Sequence, residues 1–464
     1  MNETPKIACA ACAAKDAEIA KLREQLAAAQ KNSANSSKPP SSDIVDPKKK
    51  EAEDSDSPKR TIGGQPGHTA HFRQLFDTLE VQHTKVHPVH ACPNCGGGVR
   101  PNGTVIHRSQ QVEIVLPTLS ITEHQCPDYW CDACGKSCKA ELPLVVQRGG
   151  MAGPTLTTLV AYLKGCGHTS YSTIRLFLRD VAGLQISRAM LAKIIEHATA
   201  ALDMPYEELL DLLPEQDWLN VDETGHPENG KLLWTWCLKA EMFTLFQISP
   251  SRGSKVLMDI LGQEFDGVLG CDYFSAYRKF MRVVGIEVQF CLAHLIRDVK
   301  FLCELPDRQD QAFGISLRIG LTRLFEVIHR REQLSDAAFR QGLESAKAAI
   351  FDIVRQVPDT KRSRVLAKRF ETHGESYFTF ITTPGMEPTN NAAERAIRFV
   401  VMDRHVTQGT RGEKGRRWCE RIWTVLATCQ QRGVSAFAFL REAIGRWMEG
   451  RKSPSILTGK FAAA

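Results

Sequence analysis

The strongest constraint on the fold is a series of short apolar runs that follows Pro214. Runs rich in β-branched and aromatic residues predict strands, and one run with a 3.6-residue period predicts a helix. This strand–strand–strand–helix–strand order predicts an α/β domain and suits a ribonuclease-H-like sheet. The predicted strands are WLNVDE (218–223), LLWTWCLKA (232–240), FTLFQIS (243–249), GVLGCD (267–272) and EVQFCL (287–292), and the helix is SKVLMDILG (254–262).

Two of these strands end in an acidic residue, Asp222 and Asp272. A third acid, Glu394, lies in the first turns of a later predicted helix, where Asn391 and Arg398 share its face. Phosphodiester cleavage is promoted by two divalent ions about 4 Å apart, and carboxylates bind such hard cations. We therefore predict that Asp222, Asp272 and Glu394 are catalytic and hold two Mg²⁺ or Mn²⁺ ions.

Spacing alone does not establish this site. Among 53 Asp and Glu residues, triples with this separation arise by chance. Each acid taken alone is equally well a surface carboxylate or a helix cap. Glu223, directly after Asp222, is expected to point to the opposite face of its strand. The placement of two acids at strand ends and one on a helix is what favours a shared site.

The chain has fifteen cysteines and no basic start followed by an apolar core, so we expect a cytoplasmic protein with reduced thiols. Two C-x-x-C-G units then predict metal ligands. Cys92, Cys95, Cys131 and Cys134 complete a closed four-thiolate set, which is typical of a structural Zn²⁺ site in a zinc ribbon.

Other features of this segment leave alternatives open. The runs QQVEIVL (110–116) and LSITEHQC (119–126) predict strands of the ribbon. Cys126 and Cys138 flank the second pair and are alternative ligands. Reduced structural cysteines without metal are the competing interpretation. A third pair, Cys9 and Cys12, has no evident partner in the sequence.

Residues 171–198 predict a helix-turn-helix, with a turn at Gly183 and Ser187 capping the second helix. Arg188 and Lys193 on that second helix are candidate DNA contacts in a major groove. Helical bundles without DNA share this pattern.

A basic segment near the C-terminus is a second candidate DNA surface. Eight Lys or Arg residues and three Asp or Glu residues lie between Arg395 and Arg421. The net charge of the whole chain is only +6, so the position of the charge carries the argument. The alternative is a solvated, salt-bridged surface. The predicted phosphate contacts are Arg398, Arg411, Arg416 and Arg417, and Trp418 either stacks on a base or packs in the core.

Several motifs, in order along nearly the whole chain, resemble the insertion-sequence-66 (IS66) family of bacterial transposases. They are NSANSSKPPSSD, GGQPGH, the two cysteine pairs, VDETG, CDYFSAY, FCLAHLIRD and TNNAAERAIR. The resemblance implies a ribonuclease-H-like core interrupted by a helical insertion, with the catalytic triad on Asp222, Asp272 and Glu394. It also implies that water attack frees a 3′-hydroxyl, which then attacks target DNA.

The resemblance further implies a homo-oligomer that bridges both transposon ends, with small accessory proteins of the same element and a location at the bacterial nucleoid. No apolar run is long enough to predict a membrane span. We divide this multidomain α/β chain into an N-terminal helix or coiled coil (1–32), a disordered linker (33–66), a zinc ribbon (67–148), a helical DNA-binding region (149–215), the first part of the core (216–300), a helical insertion (301–380), the second part of the core (381–430), and a C-terminal helix and tail (431–464).

Two features of the sequence fit more than one interpretation. Cys291 and His294 in FCLAHLIRD are either a metal-binding fragment near the site or part of a packed strand end. The whole protein is alternatively a catalytically silent zinc-ribbon DNA-binding regulator, a metal-dependent nuclease that never joins DNA, or a scaffold.

Overall fold

The computed structural model describes residues 141–459 and Phe461, together with shorter stretches before them. Those stretches are 119–126, 128–134, 136–139, 94–97 and positions 15, 18, 19, 21–23, 25, 26, 77, 79, 81 and 84. The described residues divide into two units, those within 45–120 and those in the rest of the chain. The described positions between 15 and 26 are helical, as expected for the N-terminal segment.

A small antiparallel hairpin surrounds the second cysteine pair. Strand β1 (Asp128–Cys131) pairs with β2 (Lys136–Lys139). The predicted strand LSITEHQC is wrong, because residues 119–126 have no strand pairing. Ile121 is 88% exposed, so this run lacks the buried face that stabilises a strand.

Between residue 141 and the large sheet the structure has five helices, and the third and fourth of them are joined by the predicted turn. Ser187 Oγ accepts a hydrogen bond from the backbone N–H of Met190, and Gly183 has a φ of 66°, which favours glycine at a helix end. The helices are α1 (Leu144–Gly149), α2 (Pro154–Gly165), α3 (Tyr171–Ala182), α4 (Arg188–Ala201) and α5 (Asp203–Leu212), followed by a 3₁₀ turn (Leu213–Glu215).

A mixed five-stranded sheet forms the centre of the second unit. Its strand order is β5-β4-β3-β6-β7, so β3 is central. β3, β4 and β5 are antiparallel, whereas β6 and β7 run parallel to β3. The strands are β3 (Trp218–Glu228), β4 (Lys231–Lys239), β5 (Thr244–Ser249), β6 (Val268–Cys271) and β7 (Val288–Phe290). Each predicted strand of this domain is therefore confirmed.

Two helices connect the parallel strands. The predicted helix α6 (Lys255–Leu261) joins β5 to β6. A second helix, α7 (Ser275–Val284), joins β6 to β7 and was not expected. Its buried side chains are Ala276, Tyr277 and Phe280, and this narrow apolar face lies between two stronger strand signals.

The region after β7 is helical, as expected for the predicted insertion. Asp310 is buried and accepts hydrogen bonds from the Ser363 side chain (2.6 Å) and backbone (3.2 Å). These bonds join the helix that begins at Arg308 to the helix that begins at Lys361. The helices are α8 (Leu292–Cys303), α9 (Arg308–His329), α10 (Asp336–Arg355) and α11 (Lys361–His373), with 3₁₀ turns at Arg331–Gln333, Glu375–Tyr377 and Thr379–Ile381.

Three helices complete the chain: α12 (Asn391–Thr407), α13 (Glu413–Arg432) and α14 (Ala436–Met448). Helix α13 covers the outer edge of β5. The backbone N–H groups of Thr244, Phe246 and Ile248 donate to side chains of α13 at 3.2, 3.0 and 2.8 Å. The acceptors are Thr428, Thr424 and Glu420. Four residues of a helix and two residues of a strand advance by about the same distance of roughly 6 Å. Side chains of one helix can therefore accept hydrogen bonds from successive free N–H groups of the edge strand.

No helix among the described residues is long and apolar enough to cross a membrane.

Candidate active site

The first two predicted acids emerge side by side from the sheet. In the parallel pairing of β3 and β6, Asn220 lies opposite Gly270. Asp222 and Asp272 each lie two residues further along: Asp272 directly follows the carboxyl end of β6, whereas Asp222 lies within β3 at the level where β6 ends. Open α/β sheets place their ligand sites at this edge.

Local contacts fix the two strands and their carboxylates. A Cβ atom at Gly270 would lie 2.2 Å from Asn220 Oδ1, so close approach of the strands requires glycine there. Asp222 Oδ1 accepts from the backbone N–H of Glu223, and Asp272 Oδ1 from that of Phe274, both at 2.9 Å. Both side chains are thereby oriented by the backbone that follows them.

The third acid, Glu394, lies in the first turn of α12 and is 21% exposed. The Arg297 guanidinium on α8 lies 3.4 Å from both of its carboxylate oxygens. His294 Nδ1 lies 3.6 Å from Glu394 Oε1. Glu394 is therefore held between two basic groups of a neighbouring helix.

Asn390 connects the elements that carry these acids. Its side chain is buried and donates from Nδ2 to the carbonyl of Val221, the residue before Asp222, at 2.8 Å. Its backbone N–H donates to Cys291 Sγ at 3.1 Å. One buried residue thus joins the start of α12 to β3 and to the start of α8.

The charges of the three carboxylates influence one another. Burial raises the pKa of Asp222 well above its usual range, and the charges of Glu223, Asp272 and Glu394 raise it further. Burial also raises the pKa of Asp272, against the opposing effect of His294. Such a group of acids favours either protons or a bound cation. Since carboxylate oxygens are the preferred ligands of hard divalent ions, Asp222, Asp272 and Glu394 suit that role.

Glu223 belongs to the same cluster, which the sequence did not indicate. Its side chain is 2% exposed, pairs with Arg252 at 2.7 Å and accepts a hydrogen bond from the Tyr277 hydroxyl. Burial and the charge of Asp272 raise the pKa of Glu223 to about 7. Arg252 itself lies between two rings, 4.5 Å from Trp234 and 4.1 Å from Phe274.

Arg252, Tyr277 and Arg297 were not identified as site residues from the sequence. Their contacts join positions between 29 and 97 residues apart. No periodic pattern in the chain encodes these contacts. The FCLAHLIRD motif was the available signal for Arg297.

A different donor set adjoins the carboxylates. One ligand atom from each of Cys291, His294 and Glu394 lies within 4.8 Å of the other two. Cys291 is 2% exposed, and burial raises its pKa to about 11. Burial and the Arg297 charge lower the pKa of His294. Cys291 and His294 therefore lie beside the predicted triad.

The predicted DNA contacts lie in different surroundings. Arg398 and Arg411 are exposed, as are Arg188 and Lys193 on α4. Arg188 donates a hydrogen bond to Ser172.

The remaining basic candidates have acidic neighbours. Arg416 Nε lies 3.1 Å from Glu228, and the Arg417 side chain lies 2.8 Å from Asp203. Trp418 is 6% exposed. Of its two predicted roles, packing in the core is therefore confirmed and stacking on a base is wrong.

The predicted zinc ligands are only partly described. Cys95 and Cys134 are exposed thiols, and Cys131 ends β1. Cys92, Cys9 and Cys12 lie outside the described residues.

Comparison with known families and proteins gives three matched segments. Residues 149–417, more than half of the chain, match the family described as transposase IS66 family. Residues 90–135 match the zinc-finger binding domain of transposase IS66, and residues 7–74 match a family of unknown function. The zinc-finger match spans both predicted cysteine pairs.

Two curated proteins of Sinorhizobium fredii are similar over most of their length. Uncharacterized protein y4qI is 23% identical over 423 residues, which cover 85% of this chain and 76% of the relative. Uncharacterized protein y4hP is 24% identical over 411 residues, which cover 80% and 73% respectively.

Proposed function

Because this chain belongs to the IS66 family of transposases, we propose that it cuts DNA at transposon ends and joins the freed 3′-hydroxyl to target DNA. The observation that carries the proposal is the cluster of Asp222, Asp272 and Glu394. Two adjacent parallel strands and a helix bring together residues that lie 50 and 122 positions apart in sequence. Their carboxylates supply the ligands that metal-dependent phosphoryl transfer needs.

In the proposed reaction, water attacks the phosphodiester at the transposon end, and the leaving strand end is a 3′-hydroxyl. That hydroxyl then attacks a target phosphodiester and displaces a second strand end. Two Mg²⁺ or Mn²⁺ ions held by the triad would activate the attacking oxygen and stabilise the leaving oxygen. The fold proposed for this core is ribonuclease-H-like, interrupted by the helices between 301 and 380.

The residues around the triad have supporting roles in this proposal. Arg297 and His294 orient the Glu394 carboxylate, and Asn390 sets the position of α12 relative to Asp222. Arg252 is 40% exposed at the side of Glu223, so its free surface can contact a DNA phosphate.

We assign DNA binding to two exposed basic regions. Arg398 lies one turn after Glu394 on α12, which supports a role in binding phosphate near the proposed triad. Arg188 and Lys193 on α4 are proposed to contact DNA at a separate position. Arg416 and Arg417 would contact phosphate only by exchanging their carboxylate partners, so Arg398 and Arg411 come first.

We assign zinc binding to residues 90–135, the segment that matches the family's zinc-finger domain. The proposed ligands are Cys92, Cys95, Cys131 and Cys134, a set that leaves no coordination position open and is therefore structural. Cys126 and Cys138 are the alternative ligands. We further propose that the active species is a homo-oligomer in the bacterial cytoplasm, at the nucleoid, with small accessory proteins as partners.

The proposal is tested by incubating the protein with DNA that flanks its own gene, a target plasmid and Mg²⁺. The wild type should give cut ends and joined products. Glu394→Gln removes one carboxylate and should abolish both products while DNA binding persists. Glu387→Gln, at an exposed position of the preceding loop, is the matched control and should behave as the wild type.

The products also separate the competing functions. Cut ends without joints would assign the protein to metal-dependent nucleases. If the wild type and Glu394→Gln bind DNA equally, neither cleaves it, and both have the same activity in the cell, the protein is a DNA-binding regulator.

A further inference from the structure

Beside the proposed catalytic carboxylates lies a mixed sulfur, nitrogen and oxygen donor set. Cys291 is the residue before α8, His294 lies in the first turn of α8, and Glu394 lies in the first turn of α12. One ligand atom from each lies within 4.8 Å of the other two. Donors around one tetrahedral zinc ion are separated by roughly 3.3–3.8 Å, so small side-chain rotations suffice to close the set.

The donors are positioned by their surroundings. Cys291 is 2% exposed, and its Sγ is fixed by the backbone N–H of Asn390 at 3.1 Å. His294 Nδ1 is buried without a hydrogen-bond partner among the described residues, and it faces Glu394 Oε1 at 3.6 Å. A buried ring nitrogen without a partner is costly, and coordination of a cation would satisfy it.

The chemistry of the set differs from that of the carboxylate triad. Magnesium binds oxygen ligands almost exclusively, whereas thiolate and imidazole favour zinc, cobalt and related ions. His294 and Glu394 are 16% and 21% exposed, so a water or a DNA oxygen can reach a fourth position.

We propose that Cys291, His294 and Glu394 bind one divalent ion of the zinc class, at a site separate from the cysteine pairs. Glu394 belongs to both donor sets. Occupation of this site therefore removes a ligand from the catalytic Mg²⁺ ions, and zinc inhibits DNA cleavage. This second consequence rests on the function proposed above, whereas ion binding itself does not.

Arg297 sets the affinity of the site. Its guanidinium lies 3.4 Å from both Glu394 oxygens and 3.5 Å from His294 Nε2. A positive charge at this distance opposes a second cation. Arg297→Gln should therefore tighten ion binding, and weaker binding in this variant would contradict the opposing effect of the Arg297 charge.

The test is a Co²⁺ titration of the full chain, purified with the tightly bound zinc of its cysteine pairs retained and any further zinc removed by a weak chelator and counted by a metal assay. Binding is followed by thiolate-to-cobalt charge-transfer absorption. The wild type should take up one Co²⁺ per chain with this absorption. Cys291→Ser should lose the band, and His294→Ala should weaken binding by more than the roughly 10- to 100-fold that loss of an outer hydrogen-bond partner costs. Cys303→Ser, on the same helix, should match the wild type.

The outcomes decide the proposal without any DNA substrate. A wild type that takes up no Co²⁺ with thiolate absorption overturns it, and so does an unchanged band in Cys291→Ser. Circular dichroism identifies any variant that fails to fold, and the wild-type and His294→Ala titrations then decide. Zinc inhibition of Mg²⁺-dependent cleavage is measured separately. If the wild type binds Co²⁺ but does not cleave DNA in Mg²⁺, the proposed function is refuted and the proposed ion site is still supported.

Discussion

At the scale of single residues, Glu223 shows how the cluster balances opposing effects. Burial and the charge of Asp272 favour its protonated form, whereas Tyr277 and Arg252 favour its carboxylate. The result is a pKa of about 7, compared with an ordinary value of 4.5. Because protons bind the folded state more tightly, this residue stabilises the fold at low pH, and its contribution is lost as the pH rises from about 4.5 to about 7.

This balance predicts the pH dependence of a single variant. Glu223→Gln removes the titration and keeps the shape of the side chain. The free energy of unfolding of the wild type relative to Glu223→Gln should fall by up to about 3 kcal/mol between pH 5 and pH 8. Denaturant unfolding at both pH values, without added divalent cations, measures the difference. Glu264→Gln is the control for removal of an exposed carboxyl group. If the difference in free energy of unfolding between wild type and Glu223→Gln does not change with pH, the raised pKa of Glu223 is contradicted.

At the scale of secondary structure elements, helix α13 acts as a cover for the edge of the sheet. Three side chains at four-residue intervals accept hydrogen bonds from alternate N–H groups of β5. A free edge strand can pair with other chains, and this arrangement prevents that pairing. The same helix contacts the helices before the sheet through Arg421, which is buried and pairs with Asp203 at 2.7 Å.

The cover is tested at its central contact. Thr424 is fully buried, and its hydroxyl accepts from the Phe246 N–H at 3.0 Å. Thr424→Val keeps the shape and leaves that N–H without an acceptor, which should lower the free energy of unfolding by about 1–3 kcal/mol. Hydrogen exchange at the Phe246 amide should become faster in Thr424→Val and stay slow in Thr424→Ser. Equal protection in both variants would show that the hydroxyl does not serve this edge.

The elements also show what the sequence predicts and what it does not. The apolar runs predict all five strands of the large sheet. The expectation that both acids end their strands holds for Asp272, which follows β6, and is wrong for Asp222, because β3 continues to Glu228. The two acids lie near each other because β3 and β6 are parallel neighbours. Helix α7 was missed because its apolar face is narrow. Arg252, Tyr277 and Arg297 were missed because their partners are distant in sequence, and tertiary packing alone brings them together.

At the scale of the whole molecule, the net charge is +6, and the positive charges are concentrated in part of the sequence. The basic segment from Arg395 to Arg421 includes residues with internal acidic partners and residues that are exposed. Arg411 is exposed in the loop between α12 and α13. Backbone hydrogen bonds of Thr410 to Pro227 and Asn229 fix this loop to the end of β3. A cation on an anchored loop suits a fixed phosphate contact.

This distribution predicts the salt dependence of DNA binding. Arg411→Ala should weaken binding similarly for all DNA sequences and reduce the slope of log K against log salt by about one. Fluorescence anisotropy over a range of salt concentrations measures the slope. Arg330→Ala, an exposed arginine outside the basic segment, should leave the slope unchanged. A wild-type slope in Arg411→Ala would remove this residue from the DNA interface.

We propose that Asp222, Asp272 and Glu394 form one metal-dependent catalytic site. The most direct measurement is the single-turnover rate of transposon-end cleavage in Mg²⁺ for Asp222→Asn, compared with Asp217→Asn at the exposed position just before the same strand. We expect a loss of about 10³-fold or more for Asp222→Asn and a wild-type rate for Asp217→Asn. Equal cleavage rates in the two variants would contradict it.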